Sequence, residues 1–232
     1  MNEFDSSAKF IWLVRHAQST ANRDFIIQGH HDAPLTELGL HQAEKTAEFF
    51  AQKKELFQIK NLFSSDLSRA KQTATAISNK IQLPLVQEKS IREAYFGRWE
   101  GRLSKDIVER EPEVYSRWRL VKTWRPAWCE SYSDLQERGI KFIQNLIELS
   151  GNSVVVSHGG LINAIIDHFD KKPLSECSNL ILDNCSISAL KVINDEILVS
   201  TVNYLAPEVP LTRFKLEEPV VNLPAEAQTD AV

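Results

Sequence analysis

Two histidines each stand at the abrupt end of a short apolar run. Phe10–Val14 leads into Arg15-His16-Ala17, and Val154–Val156 leads through Ser157 into His158-Gly159-Gly160. Two further charged groups sit at comparable junctions. Arg69 lies in Leu67-Ser68-Arg69-Ala70-Lys71-Gln72-Thr73-Ala74 behind Ser65-Asp66, and Glu93 lies in Ile91-Arg92-Glu93-Ala94-Tyr95-Phe96-Gly97 beside a glycine-marked turn. Arg15, His16, Arg69, Glu93 and His158 together suit phosphoryl chemistry. Guanidinium forks bind phosphate oxygens bidentately and stay charged at any physiological pH. A neutral imidazole nitrogen can attack phosphorus and form a phosphohistidine. A second histidine can hold the equatorial oxygens as charge shifts in the transition state. A carboxyl group can protonate the departing alcohol and later activate water. The scheme calls for no metal and no organic cofactor.

These residues meet only if the elements carrying them share an edge. Both apolar runs are too short for helices and continuous enough to be strands buried on both faces, as in a parallel sheet. Asn61–Ser64 reads as a third strand, and Ser65-Asp66 offers helix-capping chemistry for a helix that holds Arg69 in about its first turn. In an open parallel sheet, ligands bind outside the carboxyl ends of the strands. Further along, Thr36 is expected to cap a helix reaching about Lys53, with Leu40, Ala43, Ala47 and Phe50 on one face. Ser133 through Gln136 matches a capping box for the helix of Phe142, Ile143, Leu146 and Ile147, and Leu161–Phe169 continues helically behind Gly160. Ile187–Ile193 and Glu196–Asn203 flank Asn194-Asp195, the pattern of a hairpin at a sheet edge. The fold class expected is α/β: a three-layer αβα sandwich with a mostly parallel central sheet, a small helical cap insertion and a C-terminal edge hairpin. One domain is expected over 1–205, with an extended, partly disordered tail over 206–232.

The segment 100–130 reads as the insertion. It holds Trp118 and Trp124 among Arg102, Arg110, Arg117, Arg119, Lys122 and Arg125, and Pro112 divides it into two short helical pieces. A packed subdomain with charged rims and a substrate-selecting lid are both open readings, and they can coexist. Its basic residues would suit a second anionic group, although Asp106, Glu109, Glu111 and Glu113 in the same stretch would neutralise much of that field.

The blocks Arg15-His16-Ala17-Gln18-Ser19-Thr20-Ala21-Asn22, Gln28-Gly29 and Asp32-Ala33-Pro34-Leu35-Thr36-Glu37-Leu38-Gly39 resemble the opening of the histidine phosphatase superfamily. This is the group of cofactor-dependent phosphoglycerate mutases and many phosphomonoesterases. The resemblance continues at Ser65–Ala74, at Arg92-Glu93 with Phe96–Gly101, at Glu130-Ser131 with Arg138, and at Ser157-His158-Gly159-Gly160. All blocks stand in family order, over roughly residues 10 to 203. The resemblance implies His16 as the phosphorylated nucleophile, Glu93 as the proton donor, and Arg15, Arg69 and His158 as the phosphate pocket. It places Asn22, Gln28, Gly29, Tyr95 and Gly159 among the substrate-binding positions. Ala17 stands where the family usually has glycine, which narrows the backbone conformations open there.

Family mutases carry a Glu-Arg-His-Tyr-Gly signature. Glu93-Ala94-Tyr95-Phe96-Gly97, followed by Trp99-Glu100-Gly101, looks instead like the phosphatase branch. The activity this implies is a metal-independent phosphomonoesterase acting on a small phosphorylated metabolite. Its activity should fall on both sides of an optimum on the acidic side of neutral. Phosphoglycerate mutase activity, a phosphate-binding regulatory protein with little turnover, and a protein phosphatase are the alternatives.

Composition narrows partners without choosing a substrate. A net charge of −4 argues against nucleic acid, and an anionic substrate must be drawn by a local pocket. Cys129, Cys177 and Cys185 are odd in number and lack zinc spacing, which suits reduced thiols in a cytoplasmic protein. The N-terminal apolar run is interrupted early by Arg15 and His16, against a signal peptide, and no segment approaches a membrane span. A homodimer is compatible with the family, though no feature of the chain selects one. His30-His31-Asp32 is expected to be a loop pair near the pocket mouth rather than a metal cluster, and His41 and His168 helix-surface residues.

Overall fold

A computed structural model describes residues 8–177 and 180–211. Six strands are joined in one sheet: β1 (Lys9–Arg15), β2 (Ile59–Ser64), β3 (Leu85–Gln87), β4 (Asn152–Ser157), β5 (Ile187–Ile193) and β6 (Glu196–Tyr204), in the order β3-β2-β4-β1-β5-β6. The first four in that order run parallel, and β5 and β6 close the edge antiparallel. Asn194 and Asp195 both take positive φ, 48° and 64°, the backbone of a tight type I′ hairpin turn, so the hairpin forms where the sequence placed it.

The helices are α1 (Thr20–Arg23), α2 (Glu37–Lys53), α3 (Ser68–Ile81), α4 (Ser104–Arg110), α5 (Pro112–Leu120), α6 (Tyr132–Ile147) and α7 (Gly159–Phe169). Alternation along β1 sorts them into two layers. Phe10, Trp12 and Val14 join Val154 and Val156 against Ala43, Ala47 and Phe50 of α2 and Ala70, Ala74 and Ile77 of α3. Ile11, Leu13 and Val155 point the other way, onto Phe142 and Ile143 of α6 and Leu161, Ile162 and Ile165 of α7. The runs Phe10–Val14 and Val154–Val156 are apolar at every position because both faces of these central strands are covered. Each such side chain taken from water stabilises the fold by about 1.5–3 kcal/mol. The three-layer α/β sandwich expected from the sequence is the observed fold.

Three local expectations are corrected. Leu40 is 54% exposed, while the buried face of α2 runs through Gly39, Gln42, Ala43, Thr46, Ala47 and Phe50. At about 100° per residue, Leu40 falls just outside that arc, whereas the polar Gln42 lies within it. Gln42 is kept inside by hydrogen bonds, accepting from Gln18 N (2.9 Å) and donating to the Pro210 carbonyl (2.8 Å). Helix α6 is capped by Ser131, whose Oγ accepts from Asp134 N (3.0 Å), two residues before the capping box read from the sequence. Helix α3 starts at Ser68 without a side-chain cap, and Ser65 Oγ instead accepts from Leu67 N (3.3 Å). At the far end, Ala206 and Val209 are buried against the α2 layer, so the chain stays packed past the expected domain boundary. The rest of the expected tail lies outside the described residues.

The insertion builds a small core of its own from Trp99, Ile107, Val108, Tyr115 and Cys129. Pro112 opens α5 at its first turn, as its fixed φ and missing N–H favour. All three cysteines are free and buried.

Candidate active site

Strands β1 and β4 are parallel neighbours with Arg15 paired to Ser157, so the residues that follow them must come together. His16 N donates to the Ser157 carbonyl (2.9 Å), and the His16 and His158 rings lie 5.2 Å apart between centroids. Arg15, His16, Asn22, Gln28, Gly29, Arg69, Glu93 and Gly159 line one cleft of about 260 Å³ at this edge, with His158 buried behind His16. Tyr95 is the exception. It is 47% exposed, does not line the cleft, and packs its ring against His30 at 5.4 Å. Phe96, the next residue, faces the cleft instead.

His16 is buried, and its Nδ1 donates to the carbonyl of Ala17 (2.7 Å), which leaves the Nε2 lone pair free of the proton. Burial, then the charges of Arg69 and Arg15, hold the His16 imidazole well below its ordinary titration range, against the opposing pull of the Ala17 bond. Burial and Arg69 likewise keep His158 neutral. Its Nε2 shares a hydrogen bond with Ser65 Oγ (2.9 Å), and its buried Nδ1 has no partner among the described residues. The site thus holds two neutral imidazoles between two guanidinium groups. Burial lowers Arg69 to about 10, so it remains a cation at neutral pH. Its Nη2 and Nη1 donate to the carbonyls of Gly29 (2.8 Å) and His31 (3.1 Å), while its buried Nε has no acceptor among the described residues. Arg15 is aimed by a hydrogen bond from Nη1 to the Leu182 carbonyl. Asn22 Oδ1 accepts from Ser19 N (3.2 Å) and Asn184 Nδ2 (3.3 Å), which fixes its amide so that the nitrogen remains to donate.

Glu93 comes from a loop that is held in place by Arg138. That guanidinium forks onto the Glu130 carboxylate (2.7 and 3.0 Å) and also donates to the carbonyls of Ser90 (2.6 Å), Arg92 (2.7 Å) and Glu93 (3.0 Å). The Glu93 carboxylate accepts from its neighbour Ala94 N (2.9 Å) and from Gly160 N (3.0 Å) at the start of α7. The helix end therefore positions the acid group as well as His158.

Gly160 is a glycine for this reason. A Cβ there would stand 2.4 Å from Glu93 Oε1. Gly160→Ala is expected to push the carboxylate aside and lower turnover about 100-fold, because misplacing a reacting group by about 1 Å has that effect. Stability should change by about 1 kcal/mol or less, since alanine suits a helix better and the displaced group is a flexible side-chain end. Steady-state kinetics beside a thermal melt separate the two; an unchanged rate would mean that Glu93 does not act from this position.

Sequence reasoning missed Asn184. Its Nδ2 donates to the His16 carbonyl (2.8 Å) and to Asn22, tying β1 to α1 from beneath the site. It lies in the turn before β5, and only the antiparallel pairing of Val14 with Ile187 brings that turn to the reactive edge. Ala17, by contrast, fits without strain. It is absent from the residues with positive φ, its N–H donates to Thr73 Oγ1 (3.0 Å), and its methyl is buried in the core. Among the described residues no cluster of three His, Cys, Asp or Glu is placed to hold an ion. His30 Nε2 donates to the Glu93 carbonyl (2.9 Å) and Asp32 accepts from Ser68 N (2.8 Å).

Paired histidines, the guanidinium groups of Arg15 and Arg69 and a carboxylate thus meet at the carboxyl edge of a mixed α/β sheet, the groups that phosphoryl transfer calls for. The chain belongs to the histidine phosphatase superfamily, branch 1, whose family model matches residues 11–204. A metal-independent phosphoserine phosphatase of Arabidopsis thaliana is 31% identical over 166 residues, which are 69% of this chain and 68% of that one. An adenosylcobalamin/alpha-ribazole phosphatase of Escherichia coli is 29% identical over 187 residues, 78% of this chain and 89% of its own. The solved structure of a mycobacterial glucosyl-3-phosphoglycerate phosphatase in complex with VO3 superposes with a TM-score of 0.76 at 29% identity, covering 84% of this chain and 97% of that one. The protein is a phosphatase of this superfamily. No helix among the described residues is long and apolar enough to cross a membrane.

Proposed function

We propose that this phosphatase hydrolyses a small phosphorylated metabolite without a metal, through a phosphohistidine on His16. The observation that carries the reading is the state of His16: neutral, with Nδ1 committed to the Ala17 carbonyl and Nε2 left as the nucleophilic atom in a cleft lined by Arg15 and Arg69. In the first half-reaction Nε2 attacks phosphorus, the P–O bond to the alcohol breaks, and Glu93 gives the leaving oxygen a proton. The guanidinium groups and His158 Nδ1 stabilise the charge gathered on the equatorial oxygens. In the second, Glu93 takes a proton from water as it attacks the phosphohistidine, which frees His16 and releases inorganic phosphate. The positive charge that a metal supplies elsewhere is here supplied by arginine. The names of the A. thaliana and mycobacterial relatives, a metal-independent phosphatase and one acting on a phosphorylated small molecule, support the same reading.

The test is hydrolysis of p-nitrophenyl phosphate in excess EDTA, with acid-labile, alkali-stable phosphoprotein trapped during turnover and mapped. Undiminished turnover with the label on His16 is expected. Loss of activity restored by a divalent cation, or a label elsewhere, would refute it. Isomerisation of 3-phosphoglycerate with negligible hydrolysis would replace it with a mutase. Ala17, which stands where the family usually has glycine, takes an ordinary φ, which supports turnover over a silent phosphate-binding protein.

A further inference from the structure

Part of the charge in and beside the cap insertion is internally cancelled. Arg98 and Arg102 both donate to Glu111, the latter at 3.0 Å, and Lys105 lies 3.7 Å from Glu109. Burial would raise the Glu111 carboxyl, but its arginine partners outweigh that and hold it below its ordinary range. Two of the cations outside these pairs face the reactive cleft. Arg119, in the last turn of α5, and Lys122, just beyond its end, line the cleft that holds His16, Arg15 and Arg69. Among the described residues, neither forms an ion pair with a carboxylate.

Both are also partly removed from water. The buried Arg119 Nε has no hydrogen-bond acceptor among the described residues. Lys122 Nζ lies 5.3 Å from the centre of the Tyr132 ring, whose hydroxyl donates to Asp167 Oδ2 (2.7 Å). Burial pulls the Lys122 ammonium below its ordinary range, and Arg119 pulls the same way, against weaker support from Cys177 and Asp167. Asp167 is itself held by Tyr132 and by Lys172 (3.3 Å). Two desolvated cations facing one cleft repel each other and are costly to keep unless an anion enters between them.

We propose that Arg119 and Lys122 form a second anion subsite, so that the substrate is a phosphomonoester carrying another anionic group on a short carbon body. A carboxylate or a second phosphate has the required chemistry. At about 260 Å³ the cleft sits at the small end of ligand pockets, which limits the body to a few carbons. The proposal rests on reading this cleft as the phosphatase centre.

Calorimetric titration of the unmodified protein with three phosphonates tests it, because their C–P bonds survive the enzyme. They share a propylene spacer and differ at the far end: 4-hydroxybutylphosphonate, 4-phosphonobutanoate and propane-1,3-bisphosphonate. At least one of the two anionic compounds is expected to bind about 10- to 100-fold tighter than the hydroxyl compound. The tighter of the two tells carboxylate from phosphate. In the Arg119→Met/Lys122→Met double variant, its fold checked by a thermal melt, that advantage should disappear. Equal binding of all three compounds, or an advantage that survives the double substitution, would overturn the subsite. Hydrolysis of p-nitrophenyl phosphate separates the two readings. Equal binding with hydrolysis intact removes the subsite alone, while a binding advantage without hydrolysis keeps the subsite and removes the phosphatase assignment.

Discussion

His16→Ala is expected to lower kcat/KM for p-nitrophenyl phosphate on the order of 10⁵-fold or more while leaving the protein folded. Removing a covalent nucleophile removes the reaction path, and losses of that size follow even when the rest of the site survives. The cleft keeps Arg15, Arg69 and Asn22, so a phosphorylated ligand should still bind. The structural cost is limited. The Ala17 carbonyl loses the donor that His16 Nδ1 supplies at 2.7 Å, an unsatisfied buried group worth about 1–3 kcal/mol against a total stability of about 5–15 kcal/mol. The measurements are the rate, the thermal melt and the alkali-quenched phosphoprotein, which should be present in the wild type and absent in the variant. If the variant keeps more than about one hundredth of the rate with a normal melt, the nucleophile lies elsewhere and the role of His158 must be reconsidered.

The candidate catalytic edge was legible because its two histidines follow directly on strands. A buried parallel strand reads as an unbroken apolar run, and a histidine directly after one can only lie at the carboxyl edge. What the runs could not show is the pairing that brings β1 beside β4, on which the 5.2 Å approach of His16 and His158 depends. Asn184 was illegible for the opposite reason. An asparagine in a turn satisfies a loop's needs in countless proteins, and only the antiparallel return of β5 puts this one under His16. Leu40 misled because the apolar pattern gave an arc that it seemed to share, whereas the true arc is completed by Gln42 and Thr46, polar residues with internal partners. Tyr95 entered through its family block and lies outside the cleft, since the chain turns at Phe96 and Gly97. In the cap, charges could be counted from the sequence but not cancelled. Glu111 consumes two arginines while Arg119 and Lys122 keep theirs, and that difference is made by tertiary contacts alone.

Glu93→Gln is expected to separate substrates by their leaving groups. A simple alkyl alcohol leaves as an unstable alkoxide unless it is protonated, so loss of the acid should lower kcat/KM for an alkyl phosphate by about 10²- to 10⁴-fold. p-Nitrophenolate leaves readily without a proton, and its kcat/KM, which reports transfer to His16, should fall by less than about 10-fold. The substitution is not silent at the site. Both carboxylate oxygens accept from backbone, at Ala94 N (2.9 Å) and Gly160 N (3.0 Å), and glutamine can satisfy only one of the two. Some displacement of the side chain therefore lowers both rates, but displacement alone lowers them together. The ratio between substrates, unlike either rate, isolates proton transfer. The second half-reaction adds an independent sign. Water attacking the phosphohistidine also loses its base, so p-nitrophenol should appear in a burst stoichiometric with enzyme, followed by a slow steady state, as label accumulates on His16. Equal losses for both leaving groups, with no burst, would mean that Glu93 orders the loop beneath Arg138 without carrying the proton.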